Sequence, residues 1–331
     1  MIKSTLHSVH SIHFLCILAL GLAVVTGCGD DEVEPKSFLN SYRVLALRAE
    51  PAQLSLSGPS QLSLYDFHPN DLKGERPNIE YSWRICPFSL GSLTRYECFV
   101  DEIPLPEDAL SSNQMDIEET DDSNTDPTIN WPSSSSVTLD PLALFAAFGD
   151  DIQSQMEQLE MGSGMLGSEM NFFDAGVFEI YVKLTVKIEG EPDFEAVKTM
   201  TVLLDSELEV NQHPEITQVS TSIELDGSAT LKPEDELELE IEVSSDAVEE
   251  YKVAQSASDK EQGIEAETLS ENVFVYYYTT SGRFDSAVKL IDDNLATLTL
   301  GEESGAQKVF VVLRDGRGGV DLRAFDFKIK E

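Results

Sequence analysis

The sequence predicts a mostly β protein: two tandem antiparallel β-sandwiches, the first carrying an inserted acidic loop and one amphipathic helix. Three observations predict this. Several segments alternate apolar and polar residues with a period of two, the mark of a strand with one face on a core and one in water. Gly/Pro turn signals separate many of these segments, and many short strands divided by turns read as sandwiches. The chain has 331 residues, which favours two domains at roughly 150 residues each.

Taken in order, the first 27 residues read as an address. Lys3 precedes an apolar run from Phe14 to Val25. That run is too short to span a bilayer comfortably but suits a signal-peptide core. It ends in Val25-Thr26-Gly27-Cys28. Small residues ahead of a cysteine resemble the bacterial lipobox, which implies cleavage before Cys28 and a lipid on its thiol. An ordinary secretory signal and an uncut anchor are the alternatives. Residues 28–38 read as a polar, acidic tether. Gly29 rather than Asp after the cysteine resembles cargo released to the outer membrane. Two or three acyl chains would hold such a protein firmly. With Cys16 in the leader and Cys28 lipidated, Cys86 and Cys98 remain as an even pair in an oxidising setting, so they are expected to be disulfide-bonded.

The first sandwich is expected over 39–208. Ile79, Tyr81, Trp83 and Ile85 alternate with polar residues, as do Phe178, Ile180, Val182, Leu184, Val186 and Ile188. Trp83 belongs to the inward set. Within this block lies the insert, 96–173. No Lys or Arg occurs in 96–182, whereas 19 Asp and Glu do. The stretch 101–138 is too poor in apolar residues to offset chain entropy and reads as a mobile loop. Asp122, Asn124 and Asp126 have the first three spacings of a calcium loop. Pro127 and Ser133 stand where its Gly and Glu belong, which leaves a weak candidate only. Asp140 as N-cap with Pro141 at the first turn starts a helix. Leu142, Phe145, Ile152 and Met156 recur along one side, either as a partner-binding face or as a cover on the first core.

The polar stretch Glu207–His213, ending at Pro214, is the expected boundary. The second sandwich, 214–331, opens with shorter β-rich runs and contains Leu237, Leu239, Ile241 and Val243 alternating with Glu236, Glu238, Glu240 and Glu242. Its size suits one immunoglobulin-like domain. The last hairpin turns at Asp315-Gly316-Arg317-Gly318-Gly319 and resembles the closing strands of bacterial Ig-like or PKD-like domains, where glycines take positive φ. The lipobox, Arg43–Pro51, Trp83-x-x-Cys86-Pro87 and the Asp315 hairpin together are similar to uncharacterised bacterial lipoproteins with tandem Ig-like domains. The resemblance implies a fold and an address and carries no activity.

Charge and motifs exclude several functions. With 61 acidic against 22 basic side chains, the net charge is −39. Such a surface repels phosphate backbones, so no nucleic acid is expected as a partner. After cleavage only His68 and His213 remain, and no G-x-S-x-G elbow, H-E-x-x-H, Walker A or G-x-G-x-x-G strand–helix junction is present. No enzyme activity, cofactor or small-molecule substrate is expected. The expected role is a non-catalytic binding or scaffold module of the envelope, holding an unknown envelope protein. A structural stalk or a carbohydrate adhesin is the alternative. An exposed apolar face on the helix favours binding, a rigid contact between the domains with no such patch favours a stalk, and an exposed tryptophan face favours sugar.

Overall fold

The computed structural model describes residues 36–106, 131–146, 176–205, 208–223 and 230–330. The signal peptide, Cys28, the calcium candidates Asp122, Asn124 and Asp126, and the helix residues Ile152 and Met156 lie outside them.

In the first sandwich, β1 (Arg43–Glu50), β3 (Ser60–Phe67) and β6 (Ser135–Leu139) form one antiparallel sheet in the order β1-β3-β6. The facing sheet holds β2 (Leu54–Ser55), β4 (Ile79–Cys86), β5 (Ile103–Leu105), β7 (Val177–Ile188) and β8 (Phe194–Leu203), ordered β2-β8-β7-β4-β5. The short β2 runs parallel to β8, whereas β4, β7 and β8 pair antiparallel.

The second sandwich repeats this plan. One sheet is β15 (Arg283–Phe284), β17 (Ala296–Thr299), β11 (Glu236–Val243) and β9 (Ile216–Thr221), in that order. The other is β10 (Thr230–Leu231), β19 (Val320–Ile329), β18 (Gly305–Arg314), β14 (Phe274–Thr279) and β16 (Val288–Leu290), with β10 again parallel to β19. A hairpin of β12 (Glu250–Lys252) and β13 (Thr268–Ser270) stands apart. In both halves the first, second and fifth main strands share a sheet, and the third, sixth and seventh share the other. That is the immunoglobulin strand order.

Alternation explains the cores. Trp83, Ile85, Ile180, Val182, Leu184 and Val186 fill the first with Leu62, Leu64, Val137 and Leu139. Leu237, Leu239 and Ile241 fill the second with Val275, Tyr277, Val309, Val311 and Leu313. The four glutamates of β11 all face water. Cys86 and Cys98 are bonded, with Cα atoms 5.5 Å apart. The bridge staples the end of β4 to the loop before β5 rather than joining the two sheets.

Two expectations need correction. The stretch 101–138 does not simply form a loop outside the core. β5 and β6 lie in it, Val137 is fully buried, and Ser135 accepts a hydrogen bond from Trp83 Nε1 at 2.9 Å. The Ser-rich run hides β6, because Ser135 and Ser136 are buried beside Val137 and Leu139 and only Thr138 is exposed. The helix 141–146 also turns differently. Asp140 caps it as expected, its Oδ1 accepting from Leu142 N at 2.9 Å. Pro141 and Leu144 are buried and Phe145 packs edge-on against Phe178 at 5.9 Å, leaving Leu142 exposed. The apolar row is thus 141, 144 and 145, the i, i+3, i+4 set.

Lys36–Glu331 is one compact unit, and a third apolar layer explains why. β18 does not alternate: Val309 to Leu313 are all fully buried. Its odd positions fill the second core, while Phe310 and Val312 point the other way, with Val320, Leu322 and Ala324 of β19. These meet Leu45, Ala46 and Phe67 from the outer face of the first sandwich, with Leu39 alongside. Strands buried on both faces lose the polar half of their pattern. At the margin, Ser37 and Leu39 exchange backbone hydrogen bonds with Thr279 at 2.9 and 2.8 Å, so the last residues of the expected tether are part of the fold.

Candidate functional site

Both histidines are structurally committed. His68 caps the 3-10 turn Pro69–Lys73: its Nδ1 accepts from Asn70 N at 3.1 Å, and its Nε2 lies 3.3 Å from Glu191. His213 sits in the expected boundary stretch, half-buried. Its Nδ1 accepts from Val320 N at 2.9 Å, so its proton is on Nε2, which donates to Ala49 O at 2.7 Å. Burial, then the Arg48 charge, push its pKa down and keep it neutral. With both ring nitrogens engaged, neither histidine is placed as a general base. Asn211 beside it is buried and links the halves, its N–H donating to Gln53 at 3.0 Å and its amide to Asp315 at 2.7 Å.

A buried carboxylate forms a second network. Asp66 accepts from Tyr42 and Tyr81 at 2.8 and 2.9 Å, and from Ser134 and Arg76. Both tyrosine pKa values are pushed up, first by burial and then by the Asp66 charge, Tyr81 to about 12. Trp131 belongs to the same corner. Its Nε1 donates to Asp66 O at 2.8 Å, its ring meets Phe310 edge-on at 5.1 Å, and Lys308 lies over it at 5.0 Å. Neither tryptophan therefore presents a free flat face. Among the described residues no group of three or more His, Cys, Asp or Glu is arranged to hold a metal.

A 690 Å³ cleft lies where β1 and β8 meet the β18–β19 turn. That turn follows from its sequence. Asp315 Oδ1 accepts from Arg317 N and Gly319 N at 2.8 and 2.9 Å, and Gly316 and Gly318 take φ of 79° and 109°. A Cβ on Gly319 would lie 2.0 Å from the Asp315 carboxylate, so glycine is needed there. Arg43, Lys198, Arg314 and Arg317 line the cleft, with Glu179 and Glu195. Arg317 is satisfied: it pairs with Glu271 and Glu249 at 2.9 and 3.4 Å and stacks 4.2 Å over Tyr251. The other three cations have no carboxylate within the 4 Å of an ion pair among the described residues. Lys198 donates to Gly318 O at 2.9 Å, and Arg314 donates to Leu45 O at 2.8 Å and lies 4.9 Å over Tyr276. The Nε atoms of Arg43 and Arg314 are buried without a hydrogen-bond partner.

Of the residues singled out from sequence, Cys86 and Cys98 meet, and Phe145 joins the core edge rather than an exposed face. Sequence reading missed the cleft. Its signal is Lys198, the charged member of the β8 row Phe194, Ala196, Lys198, Met200, Val202, which otherwise faces the first core.

No protein-family model and no curated protein matches the chain. Among solved structures it is similar to the N-terminal Ig1-2 module of the Drosophila receptor protein tyrosine phosphatase DLAR, at 10% identity over 88% of this chain and 100% of that one, with a TM-score of 0.24. It is also similar to fibronectin(III)-like modules of Clostridium thermocellum CbhA, at 7% identity over 87% and 94% of the two chains, TM-score 0.23. The D00-D0 domain of intimin aligns at 11% identity over 87% and 98%, TM-score 0.21. Scores this low leave the fold assignment to the strand order itself.

Proposed function

We propose that the protein is a lipid-anchored, non-catalytic binding or scaffold module of the bacterial cell envelope, most simply of the outer membrane, whose two sandwiches act as one body. The observation that supports this is the apolar layer between the sandwiches. Phe67, Phe310, Val312 and Ala324 are buried away from either sandwich's own core, so both domains hold a fixed relation. A fixed relation presents surfaces at a set distance and angle, which suits holding a partner. It also favours the stalk reading, in which reach alone is the function. The lipobox ending at Cys28 supports the anchor. Commitment of both histidine rings to backbone partners supports a non-catalytic role.

Detergent phase partitioning of the wild type and Cys28→Ala tests the anchor. The wild type should enter the detergent phase and the variant should not; equal partitioning refutes lipidation at Cys28. Cross-linking in intact envelopes, followed by purification of the full chain, separates the two roles. A stoichiometric, salt-sensitive envelope protein supports the scaffold, whereas an anchored chain with no reproducible cross-link refutes the scaffold and leaves the stalk.

A further inference from the structure

We propose that the cleft bounded by Arg43, Lys198 and Arg314 is a binding site for a small organic oxyanion, a carboxylate or phosphate ester on a compact apolar body. The proposal is independent of the anchor and of any protein partner, and it departs from the sequence expectation of no small-molecule ligand.

Charge statistics are the first argument. The chain has 61 acidic and 22 basic side chains, and among the described residues most cations that are not exposed have a neighbouring carboxylate. Arg48, Arg76, Arg84, Lys183, Lys260, Lys289, Lys308, Arg317 and Arg323 all have one within 4 Å. Among the described cations that are not exposed, only Arg43, Lys198 and Arg314 lack one, and these three line one cleft. A buried cation is costly unless paired, and Lys198 is only 8% exposed.

Unused donors are the second argument. Among the described residues Arg43 makes no side-chain hydrogen bond or ion pair, and its Nε is buried. Arg314 spends one N–H on Leu45 O and leaves its Nε unmatched. Guanidinium forks match the paired oxygens of carboxylate and phosphate, and an ammonium adds a point charge. The Arg317 and Gly319 N–H groups of the turn are already filled by Asp315, so side chains carry most of the recognition.

Shape is the third. The cleft's 690 Å³ lies within the range of small-molecule pockets. Its remaining wall includes Val44, Ala46, Phe194, Ala196 and Val197, which suits an apolar body behind the charged end.

Titration calorimetry on the full chain in detergent, in chloride buffer at fixed ionic strength, tests this. One arm uses inorganic phosphate and glycerol 3-phosphate; the other uses succinate and hexanoate. Saturable binding in one arm supports the site and identifies the oxyanion. Arg43→Met and Lys198→Met should each weaken that binding about tenfold or more, the effect of losing one charge-assisted contact, while the exposed Lys328→Met should not. Among the described residues Arg43 has no hydrogen-bond or ion-pair partner, so its removal should leave the fold intact and keeps the test valid even where Lys198→Met does not fold. Dissociation constants weaker than about 1 mM in both arms, or equal affinity in Arg43→Met and wild type, overturn the proposal.

Discussion

Replacing Lys198 by Met should make the ligand-free protein less dependent on alkaline pH. Lys198 is buried where β8 meets the second sandwich, and its pKa falls from 10.5 to about 8. Burial is the main cause, followed by the Arg314 charge, with Asp315 opposing; His213 also lies within its field. Between those two values the unfolded chain holds a proton the folded chain has released, so stability rises with pH across the window. Below pH 8 the burial cost is present almost in full, at about 3 kcal/mol from the two pKa values. Between pH 7 and 9.5 the wild type should therefore gain about 2 kcal/mol relative to Lys198→Met. At pH 7 the variant loses the hydrogen bond to Gly318 O, worth about 1 kcal/mol, so it should still match or exceed the wild type. The comparison must be between variants, because Tyr42, Tyr65, Tyr81, Tyr277 and Tyr278 all have raised pKa values. Above about pH 10 they lower stability in both proteins. Urea unfolding followed by fluorescence of Trp83 and Trp131, in chloride buffers at pH 7, 8, 9 and 9.5, measures the difference. Parallel stability profiles would show that Lys198 is solvated, and the buried-cation reasoning would fail.

Three further outcomes follow from the same geometry. Phe310→Ala removes the ring between Phe67 and Trp131 and should cost about 3–5 kcal/mol; calorimetry should show one transition becoming two, and a single transition at unchanged temperature would refute the shared layer. Cys86→Ser with Cys98→Ser opens a loop of twelve-residue separation and should cost about 2–3 kcal/mol, read as a shifted urea midpoint; an unchanged midpoint would show that the bridge adds nothing. His213 has a lowered pKa, so the unfolded state gains its proton first as pH falls through 6.5 and stability drops. His213→Asn should flatten that acid slope, and an unaltered slope would assign it to other groups.

What the sequence made legible was whatever faces water on one side. β7 and β11 alternate cleanly, because one face of each lies on a core and the other in solvent. The helix cap at Asp140 was legible because capping is local. The disulfide was legible from the cysteine count. Hidden features share a different cause: two layers act on one residue. Val309–Leu313 and Leu45–Leu47 read as weaker strands because apolar side chains on both faces erase the alternation. The two-residue strands β2, β10 and β15 have no period of their own and exist through their partners. β6 was masked by surrounding serines. Lys198 breaks the apolar row of β8, and that interruption was the sequence signal for the cleft. Its meaning depends on the turn 120 residues further on, which no local pattern reports.

The shared layer also limits which surfaces the proposed partner protein could reach. It occupies the outer face of β1 and β3 on one side and of β18 and β19 on the other. Those surfaces are unavailable for recognition. The faces left open are the outer side of β4, β7 and β8, and the outer side of β11 and its neighbours. On the first, Glu102 binds Lys183 and Arg84 at 2.6 and 3.4 Å, and these pairings partly neutralise the face. On the second, Glu236, Glu238, Glu240 and Glu242 are exposed and have no cation within 4 Å among the described residues. Four like charges on one strand face repel each other and attract a complementary basic surface from a distance, an attraction that fades over a Debye length of about 8 Å at physiological salt. The second sandwich is therefore the better placed of the two to steer a basic partner. The apolar layer transmits that placement to the first, because neither sandwich can reorient without exposing Phe310 and Phe67 to water.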